Sequence, residues 1–409
     1  MDKLKIFFER WWIGLGLVVF IPILWLIAQS FVLYTDIPNS NFFKIWLAGN
    51  MILTGADPYS PADWLNGHLA FHSSWVPEKA FLYPLPLAYI LSPLGLFPPA
   101  QAYTIWAFLS MLACVGAIFI LVNQWEQPKL KLFAFLFIIT IFFFAPMLET
   151  VGKGTIGALL LLAIAFACEL LRREKSFFGG IVFSILLLKP QLGVPILAGI
   201  GLWMLFRRDW HGLSGVAAGT AILFIIGEVG DLLWVTKFLA VSQQKFGLAF
   251  GSQPTVFSMA GLVCANGPVC TLGLGSLLSL ALGSCMARIL FLKAGELSVV
   301  EAFSLAAPVG MLVTPYLWSY DHILLIIPLI WLVYQLILRT EKFTYAMLFL
   351  IAMDAVAGLG FFLQGVRPEK DFWNFTVPLL TLILVVCFVA LPLRKPGNQL
   401  PQQMTGNPD

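Results

Sequence analysis

The sequence predicts an all-α polytopic membrane protein, on three observations. Of 409 residues, 60% are hydrophobic and only 11% are charged, against about 25% charged in a soluble chain. Mean hydropathy is +0.90. Apolar runs recur along the whole chain, punctuated by small basic clusters. So few charges cannot cover a water-soluble fold, which excludes a cytosolic enzyme, a DNA binder and a disordered scaffold. A net charge of +3 makes no case for nucleic acid.

The first apolar run, Trp11 to Phe31, follows Lys3, Lys5 and Arg10. Its length suits a span of ~20 residues better than the shorter core of a signal peptide. It reads as helix one, with the N-terminus in the cytoplasm. A cleaved signal is the alternative, because Ala28-Gln29-Ser30 is small and polar. A polar first loop over 32–80 follows, expected on the extracytoplasmic side. Apolar positions at helical spacing over 42–53 predict an amphipathic helix lying along the interface. Asp57-Pro58-Tyr59 predicts a turn after it.

Further apolar runs fall at 81–97, 101–122, 132–146, 155–171, 177–188, 190–206, 212–230, 256–264, 269–292, 297–313, 323–338, 343–363 and 373–392. Several are too short to cross a bilayer straight, so some helices are short, broken or re-entrant. The prolines of Leu82-Tyr83-Pro84-Leu85-Pro86 make 81–97 the first of these. The expectation is one membrane domain over 1–392, with about 12–13 transmembrane helices and no internal repeat. A polar tail over 393–409 is expected in the cytoplasm.

Basic clusters at Lys129/Lys131, 172–175, 207–208, Arg288/Lys293, Arg339/Lys342 and 394–395 are assigned to the cytoplasm by the positive-inside rule. From residue 172 onward an alternating path satisfies every cluster; before it, either 81–97 fails to cross, the preferred reading, or Lys129 lies outside. The alternating path puts Lys189-Pro190, the 231–268 loop and the 314–322 loop outside. Cys264 and Cys270 flank an Asn-Gly turn in such a loop, and could pair there if the compartment is oxidising. No zinc spacing or metal-ligand pattern is present, and no cofactor is expected.

Ionisable groups near an apolar core are functional candidates. Polar candidates fall in five places on the expected outer side: the first loop, Leu82-Tyr83-Pro84-Leu85-Pro86, which otherwise reads as a proline-capped helix entry, and three further segments. Glu149-Thr-Val-Gly152-Lys153-Gly154 combines glycines with a lysine that suits phosphate, or is a plain turn. Lys189, followed by Pro190 and Gln191, interrupts two apolar stretches, either as a phosphate contact or snorkelling to the headgroups. Trp318-Ser319-Tyr320-Asp321-His322 runs straight into an apolar helix. Asp321 there also suits a helix N-cap within an aromatic belt, a reading that leaves His322 unexplained.

Five segments occur in order: "NFFKIWLAGNMILTGADPY", "FLYPLPLAYILSPLGLFP", "APMLETVGKGTIGALLLLAIA", "LLLKPQLGVPIL" and "TPYLWSYDHILLIIPL". Together they resemble family 87 glycosyltransferases, the polyprenol-phosphate-mannose-dependent mannosyltransferases with the GT-C fold. The resemblance implies transfer of a hexose, mannose first, from a polyprenyl-phosphate donor to a glycolipid or glycan acceptor. The cell membrane is the implied setting, with the active site on its extracytoplasmic face. The family's Ser-Pro-x-x-Trp-x-His pattern is similar to Thr314 through His322, allowing for spacing. Two positions depart from the family. Asn41, before Phe42, stands where the first-loop carboxylate is expected, and Gly152-Lys153-Gly154-Thr155 replaces a Gly-Gln-x-Asn pattern.

Such chemistry needs a base for the acceptor hydroxyl and cations or donors for the leaving phosphate. Asp36 or Asp321 is expected as base, with Asn41 orienting the hydroxyl. Lys153, Lys189, Gln191 and His322 are expected around the phosphate, and Trp46, Tyr59, Tyr83 and Trp318 against the sugar. The competing readings are a transporter or lipid flippase, and a non-catalytic envelope-assembly relative lacking the base.

Overall fold

The computed structural model describes residues 20–74, 76, 78–125, 140–243, 252–366 and 371–390. Every regular element among them is helical. The start of the first apolar run, Lys129/Lys131, the 394–395 cluster and the 393–409 tail lie outside the described residues.

Helix α1 is Phe20–Tyr34. In the first loop, α2 (Asn41–Thr54) starts where the Ser40 side chain accepts from Phe43 N and stops at Gly55, whose φ of 75° is left-handed. The expected helix is therefore present, but it does not lie along a surface. Phe42, Phe43, Ile45, Trp46 and Leu47 are all buried, and α2 packs on the segment after Tyr83. Its apolar residues are too numerous for one face, so the helix is drawn into the core. After the Asp57 turn, in which Tyr59 N donates to Asp57 Oδ1 at 2.8 Å, comes α3 (Pro61–Ala70).

The proline-broken segment forms α4 (Leu85–Leu91) and a 3-10 turn, Ser92–Leu96. It is short, as its prolines predict. α5 (Pro99–Asn123) is a full span. α6 (Ala145–Lys153) and α7 (Gly157–Arg172) meet at a 119° bend. α8 (Ser176–Phe183) tightens into a 3-10 turn, Ser184–Leu188, before α9 (Pro190–Phe206). α10 (Trp210–Gly230), α11 (Trp234–Gln243), α12 (Val256–Val263) and α13 (Pro268–Lys293) follow. Cys264 and Cys270 form a disulfide in the turn between the last two.

α14 (Val299–Val313) opens with a capping box between Ser298 and Glu301. A 3-10 turn, Ser319–Leu325, leads into α15 (Ile326–Thr340). α16 (Phe343–Val366), the turn Asp371–Phe375 and α17 (Thr376–Ala390) complete the described chain. Among the described residues, six helical segments are long and apolar enough to cross a membrane, or seven if α6 and α7 count as one. Five more apolar helical segments are shorter, at 10–17 residues.

Close packing depends on small residues, as in membrane helix pairs generally. A Cβ on Gly180 of α8 would stand 2.2 Å from the Gly212 carbonyl of α10. α5, α7, α9, α14 and α15 are buried together at the centre. α9 fixes the scale: its 17 residues span about 25 Å, close to the ~30 Å hydrocarbon core of a bilayer. Lys189 is at its start and Arg207 at its end.

Candidate functional site

The site is built around the turn Ser319–Leu325. Lys189 reaches it from the break between the Ser184–Leu188 turn and α9. There the backbone (φ −132°, ψ 74°) leaves helical geometry, and the lysine forms a buried ion pair with Asp321. Its Nζ also lies 4.7 Å from the centroid of the Tyr320 ring. Lys153, at the end of α6, approaches the same ring at 5.2 Å. Two lysines from different helices therefore share one aromatic ring.

Carboxylates answer them. Glu149, one turn before Lys153, pairs with it at 2.8 Å and accepts from Ser319 Oγ at 2.5 Å. Ser319 N donates to Asp371 Oδ2 at 2.6 Å, and Asn374 Nδ2 to Asp371 Oδ1 at 2.7 Å. Thr150 Oγ1 donates to the Tyr320 carbonyl at 2.8 Å. The 319–322 turn is thus held from α6, the start of α9 and the Asp371–Phe375 turn before α17. Asp321 does not cap a helix: Trp318 occupies the N-cap position, and the Asp321 carboxylate is engaged by Lys189.

The first loop docks onto the α6–α7 bend. Tyr103 OH donates to the Gly152 carbonyl at 2.5 Å and lies 3.2 Å from Thr35 Oγ1. Trp106 Nε1 donates to the Gly154 carbonyl at 3.0 Å. Gly154 has a φ of +65°, and a Cβ there would lie 2.4 Å from Phe42 Cβ. Asp36 and Asn41, each one residue from such a contact, are thereby carried to the Lys153 bend. Asp36 is exposed and accepts from Asn39 Nδ2 at 2.6 Å. Asn41 Oδ1 lies 3.5 Å from Lys44 Nζ, which pairs with Glu78 at 2.9 Å.

Tyr83 lies between the two groups. Burial first, then the charges of Asp321, Tyr316 and Glu78, push its hydroxyl well above the ordinary phenol range. Trp318 is half-buried and donates from Nε1 to Tyr316 OH at 3.1 Å. The Gln191 carbonyl accepts from Thr314 Oγ1 at 2.7 Å, tying the 314–318 segment to α9.

Three expected site residues, Trp46, Tyr59 and His322, are buried in the scaffold. Trp46 is buried and donates to the carbonyls of Leu94 (3.1 Å) and Phe97 (3.0 Å). The Tyr59 hydroxyl is spent on the Tyr83 carbonyl at 2.7 Å. His322 is fully enclosed, and neither imidazole nitrogen has a partner; Lys189 meets its neighbour Asp321 instead. Sequence reasoning missed Glu149 as a site carboxylate, because it reads as the start of a turn. It also missed Asp371, whose only signal is a charge two residues before an apolar run.

No curated protein and no solved structure registers as a match to the chain. A family model does: glycosyltransferase family 87 matches residues 81–315, taking in Tyr83, the Glu149–Lys153 turn and Lys189. That match covers more than half of the chain, and together with the membrane-spanning helices it makes this protein a membrane glycosyltransferase of family 87.

Proposed function

We propose that the protein moves a hexose, mannose first, from a polyprenyl-phosphate donor to a hydroxyl acceptor at the extracytoplasmic face, within a GT-C arrangement. The observation that carries the reading is the pair of lysines on the Tyr320 ring. Lys153, with its side chain 39% exposed, is the cation open to a ligand phosphate. Lys189 lies behind it, holding Asp321 and the ring in place. Tyr83 and Trp318 offer partly open aromatic faces to the sugar, and the half-buried Gln191 side chain borders the same site.

In the transfer, the acceptor oxygen bonds to the anomeric carbon as the bond from that carbon to the phosphate oxygen breaks. The acceptor proton passes to Asp36, and prenyl phosphate leaves with the bonding electron pair. Asn41, which takes no proton near neutral pH, orients the acceptor hydroxyl. Lys153 stabilises the charge that grows on the phosphate. The short helices α4 and α8 leave lateral room for a prenyl chain. Trp46, Tyr59 and His322 serve the scaffold in this reading.

The disulfide supports the choice of face. α13 runs from Pro268, beside Cys264–Cys270, to Lys293 at the basic end of the bundle. The disulfide is thus at the Lys189 end, and disulfides persist in oxidising compartments. Proteoliposomes given radiolabelled polyprenyl-phosphate-mannose and membrane extract as acceptor test the activity. Label should move to an acceptor, and Lys153→Met should abolish this. No transfer from any prenyl-phosphate hexose overturns the reading. One observation favours a second reading: with an amide at position 41, a wild type that binds donor without turnover is a base-lacking relative.

A further inference from the structure

A cavity of about 470 Å³ opens at the far end of the bundle from Lys189. The same five central helices build both ends. α5 runs from Tyr103 to Gln124, α7 from the Lys153 bend to Arg172, and α9 from Lys189 to Arg207. α14 runs back from Thr314 to Ser298, and α15 from the Asp321 turn to Gln335. About 25 Å of helix therefore separates this cavity from the site already described, and nothing assigned so far uses it.

Its volume falls within the ~300–1,000 Å³ of small-molecule sites. The walls are aromatic, with Trp125, Trp203, Trp331 and Tyr334. The polar groups are mainly donors. Arg172 gives Nε and Nη2 to Glu169 at 2.7 Å. Arg207 gives Nη1 to the Leu297 carbonyl at 3.0 Å and lies 4.9 Å over the Trp203 ring. These bonds use only part of each guanidinium's five N–H groups. Gln124 Nε2 is buried without a partner, and Gln335 brings a second buried amide to the wall. The N-terminus of α14, at Ser298 and Val299, adds the positive end of a helix dipole. Of the two lining glutamates, Glu301 is engaged by Ser298 N and Oγ at 2.8 Å, and Glu174 is exposed.

Unused donors over aromatic walls call for a ligand with anionic acceptor oxygens and an apolar part. We infer that this cavity is a second binding site, for a phosphate ester, either a phospholipid headgroup of the adjoining leaflet or a soluble phosphate ester. It is independent of the transfer site and of the donor proposed there.

Native mass spectrometry of the purified full chain tests this. The probes are phosphatidylglycerol, diacylglycerol with the same chains, and glycerol 3-phosphate. Phosphatidylglycerol should bind at least ten-fold more tightly than diacylglycerol. That preference should be lost in the Arg172→Gln/Arg207→Gln double variant and in Gln335→Leu, which keeps the test open if the double variant does not fold. It should survive Lys153→Met. Displacement of phosphatidylglycerol by glycerol 3-phosphate identifies a soluble ester as the ligand source, and failure to displace identifies the lipid. Equal binding of phosphatidylglycerol and diacylglycerol, a preference intact in both cavity variants, or one lost with Lys153→Met overturns the inference.

Discussion

Lys189 and Asp321 are 132 positions apart and form an ion pair with side chains only 2% and 1% exposed. Removing one partner of such a pair leaves an uncompensated buried charge, which costs about 3–5 kcal/mol. Lys189→Met alone should therefore lower thermal stability sharply. Lys189→Met with Asp321→Leu should recover most of it, because an apolar pair of similar volume needs no compensation. If the pair serves the transfer site, the recovered double variant stays inactive. Thermal unfolding and turnover of the three proteins decide this; full activity in the stable double variant would make the pair structural only.

The bend at Gly154 joins the first loop to the lysines. Gly154→Ala strains a left-handed backbone and drives a methyl group into Phe42, whose Cβ would be 2.4 Å away. Strain and overpacking together should cost about 3 kcal/mol. Gly201→Ala, where a Cβ meets open space, is the control and should leave the unfolding temperature within a degree or two. Equal behaviour of the two variants would show that the bend tolerates rearrangement.

The membrane class, the breaks at Lys189 and Gly154 and the shortness of 81–97 were legible because local rules set them: hydropathy, proline and glycine. The pairing of Lys189 with Asp321 was not. Nothing local distinguishes Asp321 from His322 as the partner of a lysine 132 positions away; the choice follows from the 3-10 geometry of the turn that carries both. Glu149 and Asp371 escaped for the same reason, since their roles rest on Ser319, which both contact. Trp46 misled in the opposite direction. An indole in a polar loop resembles a sugar platform, and its burial appears only once α2 has packed onto the Leu94–Phe97 carbonyls.

His68, on α3, is packed between Phe43 and Trp64. Burial, aided by the Lys44 charge and opposed by Glu78, lowers its imidazole to about 4, below the ~6.5 of an unfolded chain. Between those values the unfolded state binds a proton that the folded state refuses. Stability present at neutral pH is therefore lost as pH falls from about 6.5 toward 4. His68→Phe should flatten the fall of unfolding temperature across that window. An unchanged slope would assign the acid sensitivity to other groups.

The proposed orientation puts the two ends of α9 on opposite faces of the membrane. In a background with the exposed Cys285 and Cys387 replaced by serine, Ala62→Cys in the first loop should react with an impermeant maleimide on intact cells. Arg208→Cys, exposed just beyond α9, should react only after permeabilisation. The reverse pattern would put the lysine site in the cytoplasm and remove the extracytoplasmic reading.

The proposed transfer needs a proton acceptor for the acceptor hydroxyl. Asp321, Glu149 and Asp36 are the carboxylates weighed as base, and their surroundings separate them; Asp371 is buried and spent on Ser319 N and Asn374. Asp321 is enclosed with Lys189, so it has no open face for an acceptor hydroxyl. Glu149 is buried and doubly engaged, by Lys153 and Ser319. Asp36 alone is exposed, with one side-chain partner, Asn39. A base must meet both the acceptor and the proton, which favours Asp36. Asp36→Asn should lower turnover about 10²-fold or more while leaving donor binding and unfolding temperature unchanged. Asn41→Asp adds a carboxylate to the first loop at the position where the sequence resemblance leads one to expect it, and should raise turnover or leave it intact. If Asp36→Asn is fully active and Glu149→Gln is not, with folding preserved, the base is Glu149 and the acceptor enters beside Ser319. If only Asn41→Asp turns over, the wild-type chain binds donor without transferring it.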